Sequence, residues 1–265
     1  MTVRRALAVA ALVFVVAACD PHTVAIRFDP TVGDGYRFRS DITTRIERTI
    51  DGETTAEDSE SVLDATERVV SIDDDEITLE VTLERDASTQ RTYEVRFDRG
   101  DRLTAIDLVE GVPAEALGLD LATDLPGDVA SPPDGPLEPG TTWEIARPFA
   151  VDGRDEPVMV RGRGRVDSLG VVDGHDVAVV IVELTVPIRT TIDTADGVVT
   201  VRGTQWSTSR TTYDLAEGVA RGDDTEIHGD VAVKVAPPTG IVADPVRGTI
   251  IYRIDIGTVR VPTEG

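Results

Sequence analysis

Apolar and polar residues alternate one by one along most of the chain, and this period of two constrains the fold more than any other feature. From Tyr36 to Ile50 the residues Tyr36, Phe38, Ile42, Ile46 and Ile50 share one parity, while Arg37, Arg39, Asp41, Thr43, Arg45, Glu47 and Thr49 share the other. Successive side chains of a strand point to opposite faces, so the segment reads as a long strand with one half-buried and one wet face. The pattern returns at Ile77, Leu79, Val81 and Leu83, at Tyr93, Val95 and Phe97, and at Ile250, Tyr252, Ile254 and Ile256. From Val177 to Val182 both parities are apolar, which predicts a strand covered on both faces.

Turn signals separate these runs: Asp51-Gly52, Arg99-Gly100-Asp101, Asp173-Gly174, Asp196-Gly197, Glu217-Gly218 and His228-Gly229-Asp230. Asp-Gly tolerates the positive φ angles of a tight hairpin, so its recurrence argues for antiparallel meanders over parallel βαβ units. The expected fold class is therefore all-β, with at most one or two short helices. Only Val112 to Leu121 reads as helical, with Pro113 opening it and Ala116, Leu117 and Leu121 forming a short apolar stripe.

Three landmarks recur in one order at offsets near one hundred residues. Gly33-Asp34-Gly35-Tyr36 matches Gly140-Thr141-Thr142-Trp143, a glycine turn that launches a strand at an aromatic. The acidic turn Asp73 to Glu76 matches Asp173-Gly174, and Phe97-Asp98 followed by Leu103 matches Tyr213-Asp214 followed by Val219. The spacing suggests two tandem copies of a curved β unit, residues 28–122 and 139–262, joined by a Pro/Gly/Asp-rich linker over 123–138.

The N-terminus carries its own signal. Arg4 and Arg5 precede an apolar run from Ala6 to Ala18, and Val16-Ala17-Ala18-Cys19 follows as its end. Such a run spans roughly 20 Å as a helix, short of the roughly 30 Å hydrocarbon core, so a cleaved signal peptide over 1–18 is expected rather than a permanent span. The tetrad resembles the bacterial lipobox, which implies acylation of Cys19, a lipidated tether over 19–27, and a protein held on the extracytoplasmic face of the cell membrane. Two or more acyl chains, palmitate among them, suffice for stable anchoring.

Composition limits the remaining functions. Without Arg4 and Arg5 the chain has 24 basic against 49 acidic residues, a net charge near −25. That field repels phosphate polymers and anionic head groups, so no nucleic-acid partner is expected and the membrane is met through lipid on Cys19; the same charge favours a soluble monomer. Cys19 is the single cysteine, so no disulfide within the chain is available.

The constellations that enzymes need are not legible. His22, His175 and His228 lack metal-ligand spacing, no serine sits in a G-x-S-x-G elbow, and Gly162-Arg163-Gly164 lacks the third glycine of a dinucleotide loop. Asp73-Asp74-Asp75-Glu76 does not have the spacing of a calcium loop, and Arg161, Arg163 and Arg165 on one strand face suit cross-strand pairing with acids. No catalytic residue, metal or cofactor is therefore expected.

Lipobox, short tether, glycine-aromatic strand starts, aromatic-Asp hairpins and proline-rich linker together resemble an uncharacterised family of actinobacterial lipoproteins. More distantly the layout is similar to envelope lipoproteins of the LolA/LolB and LppX/LprG type. The likeness covers most of the region after Cys19 and implies a curved antiparallel sheet that cups an apolar cavity, in proteins that carry lipids or lipidated proteins. This chain departs from that pattern in having less helix, with only Val112 to Leu121 available as a lid, and Cys19 is the one functional residue that transfers. The expectation is a non-enzymatic binding module for a hydrophobic or lipid ligand, lined by Tyr36, Phe38, Leu117, Leu121, Trp143 and Trp206. The alternative is a structural lipoprotein with filled cores and an envelope protein partner.

Overall fold

The structure, a computed structural model, describes residues 23–86, 89–100, 102–117, 131–149, 158–194, 197–238 and 244–262. The signal segment, Cys19 and Leu121 lie outside these residues. The described chain is all-β: β1 (Gly35–Ile50), β2 (Glu53–Asp73), β3 (Glu76–Asp86), β4 (Thr89–Asp98), β5 (Leu103–Val109), β6 (Val112–Pro113), β7 (Thr142–Phe149), β8 (Val158–Val172), β9 (His175–Thr194), β10 (Gly197–Asp214), β11 (Ala220–Ala236) and β12 (Val246–Arg260). All twelve join one continuous antiparallel sheet in the order β6-β5-β4-β3-β2-β1-β12-β11-β10-β9-β8-β7, open between β6 and β7.

Local sequence accounts for the meanders. Asp51 and Gly52 take φ of 50° and 85°, and Asp173 and Gly174 take 52° and 84°, the double positive-φ turn that matches the twist of two flanking strands. Glu110 and Gly111 do the same at 52° and 74°, and here the sequence expectation fails. That turn folds Val112–Pro113 back onto β5 as a strand, so Pro113 does not open a helix; Ala114–Leu117 makes a 3₁₀ turn, and the rest of the expected helix, 118–121, lies outside the described residues.

The two meanders meet through β1 and β12, which pair from Phe38↔Arg260 to Ile50↔Gly248. Nothing local dictates this pairing. It places Ile42 opposite Ile256 and Ile46 opposite Tyr252, so the apolar parity of both strands faces one side, here called the inner face.

The sheet bends at its base. The β4–β5 and β10–β11 turns stand six strand spacings apart in the order, roughly 29 Å along a flat sheet. Yet the carbonyls of Arg99 and Glu217, one in each turn, accept hydrogen bonds from the consecutive amides of Phe28 (2.9 Å) and Asp29 (3.4 Å). Consecutive amides are only about 4 Å apart, so the sheet must wrap around this N-terminal segment.

Residues 24–28 thus form a floor rather than a loose tether. The Val24 amide donates to the Leu137 carbonyl (2.8 Å) and the Leu137 amide to the Val24 carbonyl (2.7 Å), and Leu137, in the proline-rich connection, is buried. Phe28 enters a core with Tyr36, Val69, Ile77, Leu79, Val95 and Val219. Ile26, two residues earlier, packs on the second core of Ile145, Val180 and Val182. Gly218 (φ 70°) lies where a Cβ would overlap the Arg27 carbonyl, so only glycine lets the segment pass this close.

Candidate functional site

The inner face changes character from floor to mouth. Just above the cores lies a lane of hydroxyls and one acid. Ser40 Oγ and Thr258 Oγ1 are 2.8 Å apart across β1 and β12, and Asp223 accepts from Thr211 Oγ1 and Thr225 Oγ1, each at 2.6 Å. Ser209, opposite Thr225, extends the lane along β10.

Farther from the floor the same face becomes largely apolar on β9, β11 and β12, while Thr44 and Arg48 on β1 and Ser207 and Gln205 on β10 keep polar side chains there. Register places Ile42 against Ile256, Ile254 against Ile227, Ile250 against Val231, Val201 against Val233, and Gly203 against Ile188. Most of these side chains are only half-buried, and Ile50 and Ile192 at the mouth are 49 % and 52 % exposed. The described residues layer no second sheet and no helix on this band. Its boundary is β2, where Ser61, Ser59, Glu57 and Thr55 stand opposite Ile42, Thr44, Ile46 and Arg48, and Arg48 is bound to Glu57 at 3.1 Å.

Glycines let large side chains lie flat on this face. Tyr252 lies across Gly229, where any Cβ would overlap its ring, and donates from its hydroxyl to Gln205 Oε1 at 2.7 Å. Trp143 lies over Gly164 and Leu184 over Gly162 in the same way. With five Phe, two Trp and four Tyr in the chain, this is how few aromatics cover much backbone.

The residues expected to line one ligand site are dispersed. Tyr36 and Phe38 belong to the first core, and Trp143 packs on the second. Trp206, opposite Thr185 and His228, has the other parity and stands 46 % exposed on the outer face. Leu117 is 51 % exposed in the 3₁₀ turn at the β6 edge, and Leu121 lies outside the described residues. The lining that the inner face does present, Ile42, Ile227, Ile250, Tyr252 and Ile254, is legible as strand pattern, but its convergence depends on the β1–β12 pairing.

Two acids at the base have altered titration. Glu67, on the inner face opposite Tyr36 and Val81, is pushed up to about 7 by burial. Burial would also raise Asp214, but the Ala216 amide, the Arg221 guanidinium, the Glu217 amide and His175 hold its carboxyl below the usual range. Asp214 is buried, with His175 Nδ1 at 2.8 Å and Arg221 Nη1 at 3.3 Å. Its Oδ1 accepts from the Ala216 amide at 2.9 Å, as Asp98 Oδ1 accepts from the Gly100 amide at 2.8 Å at the equivalent corner of the first meander. A cleft of about 860 Å³ opens beside His175 between Val24, Leu169, Val177 and Leu215. Asp214 is thus a structural corner, tying strand end to turn.

The arginine row of β8 behaves as a paired surface. Arg163 binds Glu183 at 2.7 Å and Arg165 binds Asp167 at 2.7 Å. At the acidic tip, Asp73 and Glu76 close the β2–β3 hairpin, and Glu76 accepts from Arg96 at 3.1 Å. Among the described residues no helix is long and apolar enough to cross a membrane. No protein-family model and no curated protein matches this chain.

Proposed function

We propose that this chain is a lipid-anchored, extracytoplasmic binding protein without catalytic activity, and that the inner face of its sheet takes a hydrophobic or lipid ligand. The observation that carries the reading is the half-exposed Ile/Val band of β1, β9, β10, β11 and β12, bounded by a polar strand on one side and by the packed floor below. Exposed apolar area costs about 25 cal/mol per Å² in water, and contiguous apolar surface of this kind marks binding faces more often than chance. The anchor reading rests on Val16-Ala17-Ala18-Cys19, and the floor begins at Val24, five residues beyond Cys19, so the base of the sheet would lie nearest the membrane.

The two halves are also read as tandem copies of one curved unit. Gly33 donates to the Val69 carbonyl and Gly140 to the Val166 carbonyl (3.0 and 2.8 Å), and the Val69 and Val166 amides return bonds to Asp34 and Thr141, both at 2.9 Å. The register of each shifts just after the same valine, at Val69/Ser71 and at Val166/Ser168.

A structural lipoprotein that binds a protein partner is the second reading, favoured by the filled cores and by the open edges at β6 and β7. Solvent extraction and mass spectrometry of the full chain purified from membranes separates the two. A stoichiometric non-covalent lipid, lost in Ile254→Glu, is the expected result; a lipid-free protein that binds no hydrophobic fluorescent probe leaves the partner reading. Cys19→Ser should abolish incorporation of a clickable fatty acid, and undiminished label on that variant would remove the anchor.

A further inference from the structure

We propose that the inner face selects amphiphiles with an uncharged, hydroxyl-bearing head and turns away anionic ones, the head lying on the Ser40–Thr258–Asp223–Thr211 lane and the tail on the Ile/Val band. The inference rests on the apolar-ligand reading above and adds the chemistry of the head group and its direction.

The direction follows from the order of side chains along the strands. On β12 the inner residues run Thr258, Ile256, Ile254, Tyr252, Ile250 from floor to mouth, polar first and apolar afterwards. On β11 they run Asp223, Thr225, Ile227, Gly229, Val231, Val233, and on β10 Thr211, Ser209, Ser207, Gln205, Gly203, Val201. All three run from polar to apolar, but at different levels: the change falls between Thr258 and Ile256 on β12, one inner pair farther from the floor between Thr225 and Ile227 on β11, and only between Gln205 and Gly203 on β10, so the polar lane widens toward β10. Ile256 to Ile250 spans six residues, roughly 20 Å at strand rise, enough for an extended acyl chain.

The head group follows from hydrogen-bond capacity and charge. Ser40 and Thr258 share one bond between two hydroxyls, so one hydroxyl proton and further lone pairs stay available. Each Asp223 oxygen accepts one threonine hydroxyl and keeps a lone pair that wants a donor. A sugar or glycerol hydroxyl both donates and accepts and satisfies such a lane. A phosphate or carboxylate can only accept, and it brings like charge against Asp223.

Compensating cations are already engaged. The inward cations on the five strands that carry the band are Arg48, Arg221 and Arg260. Arg48 is bound to Glu57 at 3.1 Å, Arg221 to Asp214 at 3.3 Å, and Arg260 to Glu217 at 2.6 Å while its guanidinium stacks 4.9 Å above the Tyr36 ring.

Photo-crosslinking of the full chain in phosphatidylcholine vesicles tests this. Two probes are compared at equal bilayer concentration, a long-chain alkyl glucoside with a diazirine in the chain and the same diazirine chain ending in phosphate, with crosslinks mapped to peptides. Glucoside labelling of the β11 and β12 peptides, at least tenfold above phosphate labelling, is expected. Asp223→Lys should bring the ratio to one or invert it, and the nearly isosteric Asp223→Asn should narrow it. Equal labelling by both probes, or a ratio unmoved in both variants while each keeps its sheet spectrum, overturns the head-group inference and leaves the apolar face standing. Absence of label from β11 and β12 with either probe overturns the apolar-face reading, and this inference with it.

Discussion

The aromatic that launches each meander meets a different neighbour in the two halves. Tyr36 stands opposite Glu67 on β2, and Trp143 stands opposite Gly164 on β8. In the first half the aromatic stays upright in a dense core, tilted 57° to Phe28 with ring centroids 6.0 Å apart, and burial with nearby acids pushes its hydroxyl up to about 12. In the second half the indole collapses onto the bare glycine backbone and itself becomes the surface of the core. The two strand starts thus use two solutions: a stack of large side chains that tolerates a half-buried carboxyl, or a glycine bed that needs only one large ring. The second solution leaves more sheet face uncovered with fewer aromatics, and the apolar band lies mostly on that half.

If the floor serves the first core more than the second, Phe28→Ala should be the most damaging single change, costing about 3–5 kcal/mol as a buried aromatic is lost. Ile26→Ala, at a half-buried site on the second core, should cost about 2 kcal/mol. Urea unfolding of both variants measures the difference, and equal losses would mean that the two halves depend on the segment alike. Gly164→Ala comes next, at about 1–3 kcal/mol, because the new methyl overlaps the Trp143 indole, and the near-UV signal of the tryptophans should change with it. Gly35→Ala in the first half meets only the Glu67 carbonyl at 3.6 Å, an ordinary contact, and should stay within about 0.5 kcal/mol.

Glu67 supplies the smallest and most selective test. Its folded carboxyl keeps a proton up to about 7, against an ordinary value of 4.5, so between those values the folded chain binds a proton that the unfolded chain has released. Stability therefore falls as pH rises through that window. Glu67→Gln should remove this part of the slope and gain on the order of 1–2 kcal/mol at pH 8, less than the full shift implies because the side chain still touches solvent. Unfolding curves at pH 5 and pH 8 decide it; a variant that keeps the wild-type slope would place the burial cost elsewhere.

Much of the strand inventory is legible in the amino-acid sequence. The alternating run Tyr36 to Ile50 is β1 to within one residue, and the doubly apolar run Val177 to Val182 is the best-buried stretch of β9. Asp51-Gly52 and Asp173-Gly174 turn where their positive φ permits, whereas His228-Gly229-Asp230, expected as a turn, runs straight through the middle of β11, its glycine lying beneath Tyr252. The misreadings share one cause, which is that the deciding partner lies elsewhere in the fold. Val112 to Leu121 has a helical stripe and a well-placed proline, but Glu110-Gly111 can also close a hairpin, and β5 is there to receive it. The packing of Val24 to Asp29, which begins inside the tether expected over 19–27, is not legible because its partners, Leu137, Arg99 and Glu217, lie 71 to 188 residues away along the chain. The expected lining does not converge because Trp206 has the parity of the outer face, which a sequence reveals only once one knows which parity faces in.

Local chemistry, then, determined what each segment is: a period of two and Asp-Gly turns suffice for strands and hairpins, since both depend on residues that touch along the chain. The tertiary structure decided how the segments meet. β1 and β12, some two hundred residues apart, complete the sheet, and the Val24–Asp29 segment draws hairpins six strand spacings apart around itself. Strand edges offer the same backbone donors and acceptors to any partner, so their pairing is settled by closure of the whole and by the side chains that must share a face.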